Sequence, residues 1–371
     1  MLNQVFRLGL WGAQGILVYG LLMSCSNASK TTISTPLAGA SGLDRQILVD
    51  VVDKVMIPNY GQFAERAADL SRAIAVFSKT PDESRLKAAQ VAWVNARGAW
   101  EQTECFAFGP ASSLGYDGAL DTWPVNEVDV KALLNSKTTL TADTIDQLKD
   151  TEKGFHVIEY FLFGAEQPRQ AAELQPKELT YLKLMGENFA GVAQKLAQSW
   201  SQGIEGKPAY REVLTTAGLE GNAVYPTLVA GFEELVQGMV DSLDEVANEK
   251  LGETLEKKDP RLAESRFSLN TLSDIKSNLR GVENLYLGKF AEENLNGLGL
   301  SAYVAQVSPK LDKTVKEQIE QAETALDQIP APLESAILDP KAAASIQVAQ
   351  SALNKVRETL EGDVKPLMTK S

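Results

Sequence analysis

The only histidine of the 371-residue chain lies in a short apolar stretch that also contains a glutamate. The stretch reads KGFHVIEYFLFG and places His156 and Glu159 three residues apart among aromatic and aliphatic side chains. On a helix, residues three apart lie roughly 60° apart around the axis, so the imidazole and the carboxylate share one face. A helix that is apolar on nearly every other side is buried, and an isolated buried carboxylate is costly. The carboxylate must therefore have a partner or stay protonated.

Three uses of this His–Glu pair are compatible with its spacing. The two side chains can satisfy each other, or an arginine, as a feature of the core. They can be two ligands of a metal ion whose site is completed by carboxylates from other helices. They can also be the general acid and base of a hydrolase. A zinc protease of the HExxH type needs two histidines and this chain has one, which counts against the hydrolase, and no residue is assigned a catalytic role.

Any further ligands of a metal ion must be Asp or Glu, because the chain has no second histidine. One imidazole with several oxygens suits iron or a similar hard-to-borderline cation better than copper(I). Iron is the first candidate, and zinc is an alternative. Glu104 and Asp121 are acidic residues among apolar neighbours, and Arg97 lies seven residues before Glu104 on the same helical face. The alternatives are a helix-end position for Glu104 and a turn or N-cap role for Asp121.

The first 42 residues predict an export signal and a tether. The apolar run from Leu8 to Met23 is short for a membrane-spanning helix, and it ends in LLMSC, which is similar to the lipobox of bacterial lipoproteins. We interpret residues 1–25 as a lipoprotein signal peptide with lipidation at Cys25, and residues 26–42 as a flexible tether. A conventional signal peptide cut near Ser29 and an uncleaved anchor are the alternatives.

The charge balance and the cysteines limit the partners and the location. A formal net charge of −13 disfavours nucleic acid and anionic lipid, so membrane contact is expected through the lipid anchor only. The predicted location is the cell envelope, periplasm-facing or at the outer membrane, because Ser26 rather than Asp follows Cys25. The chain has two cysteines, so lipidation of Cys25 leaves Cys105 without an intramolecular partner.

From Leu43 onward the hydrophobic pattern is helical, and it lacks the sustained alternation that predicts strands. Pro58 predicts a break or kink in the first helix. Later helices are expected at about 82–106, 178–202, 222–255, 269–288, 301–327 and 340–362. We predict an all-α fold of two helical bundles packed against each other, residues 43–220 with the His–Glu pair and residues 221–371.

Several separated motifs resemble the imelysin family, also called the M75 peptidase family. GFHVIEYFLFG resembles its GxHxxE signature, WVNARGAWEQTECFAFGP and LDTWPVN resemble two further blocks, and ESRFSLNTLSDIKSNLRGVENLYLG resembles a block of its second half. The likeness spans roughly Asp44 to Leu360. It implies two helical bundles with a functional site where they meet, in secreted or lipid-anchored envelope proteins that are often linked to iron acquisition.

The resemblance also implies roles for individual residues. It implies that His156 and Glu159 are metal ligands, and it extends the site less directly to Glu104, Asp121 and Arg97. Arg266 and Ser268, in the second-half block, are expected to face His156 and to hold an anionic ligand or chelated iron. Helix capping is the alternative role for Ser268.

The leading functional hypothesis is an envelope lipoprotein that binds a metal ion, with iron as the first candidate, or an iron-bearing ligand. It would serve iron uptake, together with an envelope transport partner. The alternatives are a metallopeptidase of the M75 type and a non-catalytic scaffold that binds a protein partner, in which the His–Glu pair is only core structure.

Overall fold

The first described helix continues past Pro58. In the computed structural model, which describes residues 41–165 and 168–369, α1 (Ser41–Val51) runs through a π-helical segment, Val52–Met56, into α2 (Ile57–Lys79). Pro58 lies in the first turn of α2, directly after the wider π-helical turns. Proline has no N–H to donate to the preceding turn, and a change of winding accommodates that loss. The predicted break is therefore a local change within one continuous helix.

The remaining described chain is almost entirely helical, as the periodicity predicts. Its helices are α3 (Glu83–Glu101), α4 (Pro110–Ser113), α5 (Tyr116–Asp121), α6 (Glu127–Asn135), α7 (Ala142–Asp146), α8 (Phe155–Phe163), α9 (Pro176–Ser201), α10 (Tyr210–Thr215), α11 (Leu228–Asp244), α12 (Thr254–Lys257), α13 (Thr271–Leu287), α14 (Leu300–Val307), α15 (Pro309–Asp327), α16 (Leu333–Ala336), α17 (Ala343–Thr359) and α18 (Lys365–Thr369). Further π-helical segments are Glu245–Glu253 after α11 and Leu360–Val364 after α17. Within these ranges, no helix is both long enough and apolar enough to cross a bilayer.

Two local features differ from the sequence prediction. The helix expected at 301–327 is divided into α14 and α15, because Pro309 opens α15 and Ser308 caps it by accepting the backbone N–H of Leu311. A short antiparallel hairpin, β1 (Lys289–Phe290) and β2 (Leu295–Asn296), follows α13. Strands of two residues carry no readable alternation, so sequence periodicity could not predict them.

The core of the first half forms where α2 packs between α3 and α9. Aromatic rings fill this space, and the ring centroids of Phe155 and Phe189 lie 4.5 Å apart while those of Phe63 and Trp100 lie 5.1 Å apart. All nine residues of α8 are buried against this layer. Burial of one large apolar side chain contributes roughly 1.5–3 kcal/mol, so the aromatic layer provides a rigid base for the polar residues of α8.

In the second half α11, α15 and α17 pack together, and α13 joins this set to α3. A Cβ at Gly281 on α13 would overlap the backbone of Gln102, so glycine permits the close approach of these two segments. Contacts of α3 with α13 cross the boundary that the sequence predicts near residue 220, and the described residues belong to one compact unit. The division into two bundles stays a prediction.

Gly154 sets the distance between the end of α5 and the start of α8. It precedes α8 with φ +85° and ψ −165°, a backbone region that only glycine adopts readily. A Cβ at this position would also overlap the backbone carbonyl oxygen of Leu120. Glycine at this point therefore lets the first turn of α8, with His156, approach Asp121 at the end of α5.

We expect Gly154→Ala to lower the free energy of unfolding by about 3 kcal/mol or more, because it adds a backbone clash to the strain of the positive φ. Gly115→Ala is the matched control, since Gly115 has φ +69° but open space around its missing Cβ. That control should lose about 1 kcal/mol. Chemical denaturation of both variants measures the difference, and equal losses would contradict the proposed close approach.

Candidate metal centre

His156 and Glu159 lie side by side in the buried helix α8, as their spacing predicts. His156 Nδ1 is 3.1 Å from Glu159 Oε2, and neither side chain is exposed. The other oxygen, Oε1, accepts the backbone N–H groups of Phe267 and Ser268 at 3.1 and 2.8 Å, and the Ser268 hydroxyl at 2.7 Å. Both Glu159 oxygens are therefore engaged. The carboxylate fixes the orientation of the imidazole from behind and directs Nε2 away from Glu159.

The free edge of the imidazole faces Asp121. His156 Nε2 lies 3.2 Å from Asp121 Oδ1, in an approach that lacks hydrogen-bond geometry. Trp100 Nε1 donates to the other Asp121 oxygen at 2.6 Å, and Arg97 contacts Oδ1. Burial disfavours the charge of Asp121, but Arg97 and His156 outweigh it and hold the pKa of this carboxyl well below its usual range. Asp121 is therefore an anion at neutral pH.

Arg97, on α3, is fully buried and contacts several carboxylates at once. Its guanidinium pairs with Glu101 and Asp121, lies 2.9 Å from Glu264 Oε1, and has its Nε 3.7 Å from Asp274 Oδ2. Its Cζ also lies 5.1 Å from the centre of the Phe155 ring. Arginine is suited to this place because it stays charged and presents donors in several directions.

A second buried cation, Lys250, lies on the other side of these carboxylates. Its ammonium is 2.8 Å from Glu264 Oε2, and 3.2 Å from both Glu101 Oε2 and Glu104 Oε2. Asn278 on α13 donates its amide to the same Glu101 and Glu104 oxygens at 2.7 and 2.6 Å. The acidic side chains of α3 and the turn after it are thereby tied to the second half of the chain.

We call six neighbouring carboxylates the carboxylate cluster: Glu101, Glu104, Asp121, Glu264 and Asp274, which surround these two cations, and Glu159, which contacts His156. Even with a protonated His156, the cluster has six carboxylates and three cationic side chains, so full ionisation would leave net negative charge. Burial, with the neighbouring Glu101 charge, raises the pKa of Glu104 and that of Asp274 well above their usual values. Carboxyls in this state take up protons unless another cation neutralises them.

Two groups within the cluster have the geometry of a cation site. Donor atoms of Asp121, His156 and Glu264 all lie within 4.8 Å of one another, and so do donor atoms of Glu101, Glu104, Asp121 and Glu264. His156 Nε2, Glu101 Oε1 and Asp274 Oδ2 are buried without a hydrogen bond of acceptable geometry among the described residues. An imidazole nitrogen with several carboxylate oxygens fits a hard or borderline metal ion such as iron or zinc. The residues present therefore fit a metal.

The structure brings most of the predicted residues together. His156, Asp121, Glu104 and Arg97 meet in the cluster, while Glu159 lies behind the imidazole.

Two other predicted residues lie differently. Ser268 contacts the cluster through the hydrogen bond that its hydroxyl donates to Glu159 Oε1. Arg266 points elsewhere, because its guanidinium pairs with Glu127 at 2.9 Å and its Cζ lies 4.4 Å from the centre of the Phe267 ring. Cys25 lies outside the described residues.

Sequence reasoning missed several members of the cluster. Glu101 follows Arg97 by four residues on α3, and this spacing is a usable sign of an ion pair. Glu264 and Asp274 flank the start of α13, where polar residues are usually caps. The local sequence does not indicate that Lys250 is buried, because the run EVANEKLGETLEKK is typical of a solvated helix face.

The fold and the site together define a class: a mostly helical protein with a buried candidate metal site built from one imidazole and several carboxylates. The family model for imelysin, peptidase M75, matches residues 56–360. The chain therefore belongs to the imelysin family, as its motifs predict.

Individual relatives agree with this assignment. Iron-regulated protein A of Synechococcus elongatus is 39% identical over 326 residues, which cover 88% of this chain and 87% of that protein. A crystal structure from Parabacteroides distasonis, described as an iron-regulated protein A precursor, has a TM-score of 0.78 at 24% identity, covering 88% of this chain and 95% of that one. An imelysin-like protein from Psychrobacter arcticum has a TM-score of 0.68 at 16% identity, covering 89% and 96%. The two structures show the fold.

The ionisation of His156 gives a direct test of the centre. Burial opposes the charge of the imidazole, but contacts with Asp121 and Glu159 outweigh it and raise the pKa of His156 from 6.5 to about 9. Because the chain has one histidine, its ring Cε1–H resonance is unambiguous in NMR spectra. We expect a midpoint near pH 9 in metal-free protein and a lower midpoint in Asp121→Asn. A wild-type midpoint at or below 6.5 would contradict the geometry.

The same shift predicts a pH dependence of stability. The folded pKa of His156 lies above the unfolded value, so the stabilisation is complete below about pH 6.5 and is lost as the pH rises through about 9. Its size is about 3 kcal/mol. The difference in unfolding free energy between wild type and His156→Gln, measured with a chelator present, should shrink over this range.

Proposed function

We propose that this protein is an envelope lipoprotein that binds a metal ion in the service of iron uptake, with iron as the first candidate and zinc as the second. The observation that carries the proposal is the meeting of Asp121, His156 and Glu264 inside a cluster with more carboxylates than cations. A metal ion supplies the positive charge that this cluster lacks.

The residues around the ion have distinct roles in this proposal. His156 Nε2 and the carboxylates of Asp121 and Glu264 would hold the ion. Glu159 does not need to be a ligand, because its oxygens are engaged by the imidazole and by the segment before α13. It would instead orient the imidazole and raise its basicity, as carboxylates behind metal-bound histidines commonly do. Arg97 keeps Asp121 and Glu264 in place from the opposite side.

Two observations make iron the first candidate. The donor set is one nitrogen with several oxygens, which suits a hard or borderline ion. The relative from Synechococcus elongatus is named iron-regulated protein A, and that name places it in an iron response. We therefore infer that this chain binds iron, or an iron-bearing ligand, and passes it to a transport protein of the envelope.

Metal titration of the purified mature chain tests the site. We expect Fe(II), Mn(II) or Zn(II) to bind to wild type, and His156→Ala to abolish or greatly weaken that binding because a ligand is lost. Glu159→Gln should weaken binding less, by roughly 10–100-fold, since it only loosens the imidazole. Isothermal titration calorimetry with elemental analysis measures both effects.

Asp312→Asn is the matched control for these variants. Asp312 is also a buried carboxylate, but it accepts hydrogen bonds from Tyr286 and Ser301 and pairs with Lys316 outside the cluster. Its replacement should leave metal affinity unchanged even if stability falls. If His156→Ala bound every ion as well as wild type, the site assignment would be wrong.

The envelope location has its own test, which depends on Cys25. We expect the full-length chain, produced in a bacterial host, to incorporate labelled fatty acid and to fractionate with membranes. Cys25→Ser should remove both properties while leaving the helical fold intact, because Cys25 precedes the fold. Release of wild type as soluble, unlabelled protein would contradict lipidation.

A further inference from the structure

Lys250 is buried although its sequence context predicts an exposed position. Its side chain is 4% exposed, in a run that contains several Glu and Lys residues. It belongs to the π-helical segment Glu245–Glu253, and π-helical turns are rare and frequent at functional sites. In that winding, residues five apart align, and Glu245 Oε1 lies 3.7 Å from Lys250 Nζ. The altered winding thus accompanies the inward position of this lysine.

The ammonium of Lys250 lies among three carboxylates that also belong to a group with the geometry of a cation site. Glu101, Glu104 and Glu264 each have an oxygen within 3.2 Å of Nζ. The same three residues, with Asp121, form one of the two groups whose geometry suits a metal ion. A lysine ammonium is a compact point charge with three donors, so three carboxylates can saturate it.

Glu264 links this half to the half that contains His156. Its Oε2 lies 2.8 Å from Lys250 Nζ, and the same carboxylate belongs to the group with Asp121 and His156. An ion bound beside His156 must therefore share Glu264 with a fixed positive charge. That charge weakens the attraction between Glu264 and the metal ion, and it repels a second metal ion directly.

We propose that the ammonium of Lys250 is a tethered cation that fills the Glu101–Glu104–Glu264 half of the cluster, so that the chain binds one metal ion instead of two and binds it less tightly than its carboxylates alone would allow. This inference rests on the proposed function, because it concerns the same centre. Such a restraint suits a protein that must release its ion as well as capture it.

Replacing Lys250 by methionine tests the proposal, since methionine is similar in length and uncharged. Equilibrium dialysis against Mn(II) or Zn(II) alone, followed by elemental analysis, counts the bound ions. We expect one ion per wild-type chain and two per Lys250→Met chain. The first ion should bind roughly tenfold tighter or more in the variant, because an opposite charge at 4–6 Å changes the proton affinity of a carboxylate by one to three powers of ten.

Lys276→Met is the control for the change in net charge. Lys276 lies on α13, is 40% exposed and pairs with Asp327 on the surface. The Lys276→Met variant should bind one ion with wild-type affinity. A tightening of the same size in this control would show that overall charge, and not the position of Lys250, is responsible, and would overturn the proposal.

A second variant covers the case in which Lys250→Met does not fold. Lys250→Met combined with Glu104→Gln removes one positive and one negative charge, so the charge balance of the cluster is preserved. We expect this double variant to bind one ion, more tightly than wild type, because Glu264 is released from the ammonium while the second position loses a ligand. Wild-type affinity in a folded double variant would overturn the proposal.

The outcomes separate this inference from the proposed function. Two ions in wild type, or one ion of equal affinity in wild type and Lys250→Met, would overturn the role of Lys250 and leave metal binding intact. No binding by wild type with binding by Lys250→Met would overturn the proposed function and also the one-ion stoichiometry proposed for the wild-type chain. No binding by either chain would overturn both.

Discussion

The guanidinium of Arg97 is the contact on which the arrangement of the centre depends. It is fully buried on α3, and it neutralises carboxylates that come from α3 itself, from the end of α5, from the segment before α13 and from α13. Without this cation, four segments would meet with negative side chains in an apolar surrounding. Loss of one partner from a buried ion pair commonly costs roughly 3–5 kcal/mol, so Arg97 connects folding to the geometry of the site.

The cluster has more carboxylates than cationic side chains, and this imbalance determines its chemistry. Protonation removes part of the negative charge, as the raised pKa values of Glu104 and Asp274 indicate. A bound metal ion would supply positive charge without protonation, and the fold already holds the oxygens of the cluster close together. Burial of most of these side chains strengthens each charge interaction. The unfavourable burial of several carboxylates in one place favours the binding of a cation there.

The imidazole itself is oriented by parts of the chain that lie far apart in sequence. Glu159 accepts hydrogen bonds from two backbone N–H groups and one hydroxyl of the segment before α13. Held in this way, it orients the imidazole of His156. Gly154 sets how closely the same helix approaches Asp121. The direction of Nε2 therefore depends on the packing of both halves of the chain, so a change of packing between α8 and the segment before α13 would alter the candidate metal site directly.

Sequence determined the features that arise from local interactions. The period of the apolar residues predicts an all-helical fold because helical hydrogen bonds join residues four apart, and the same geometry places His156 beside Glu159. The tertiary structure decided which oxygens surround the imidazole. Glu264 and Lys250 lie about a hundred residues beyond His156, and only the packing of α3 against α13 and the π-helical winding bring them to the cluster. Arg266 turned to Glu127 for the same reason: the direction of a side chain between helices is set by crossing geometry and close approach, which no local pattern encodes.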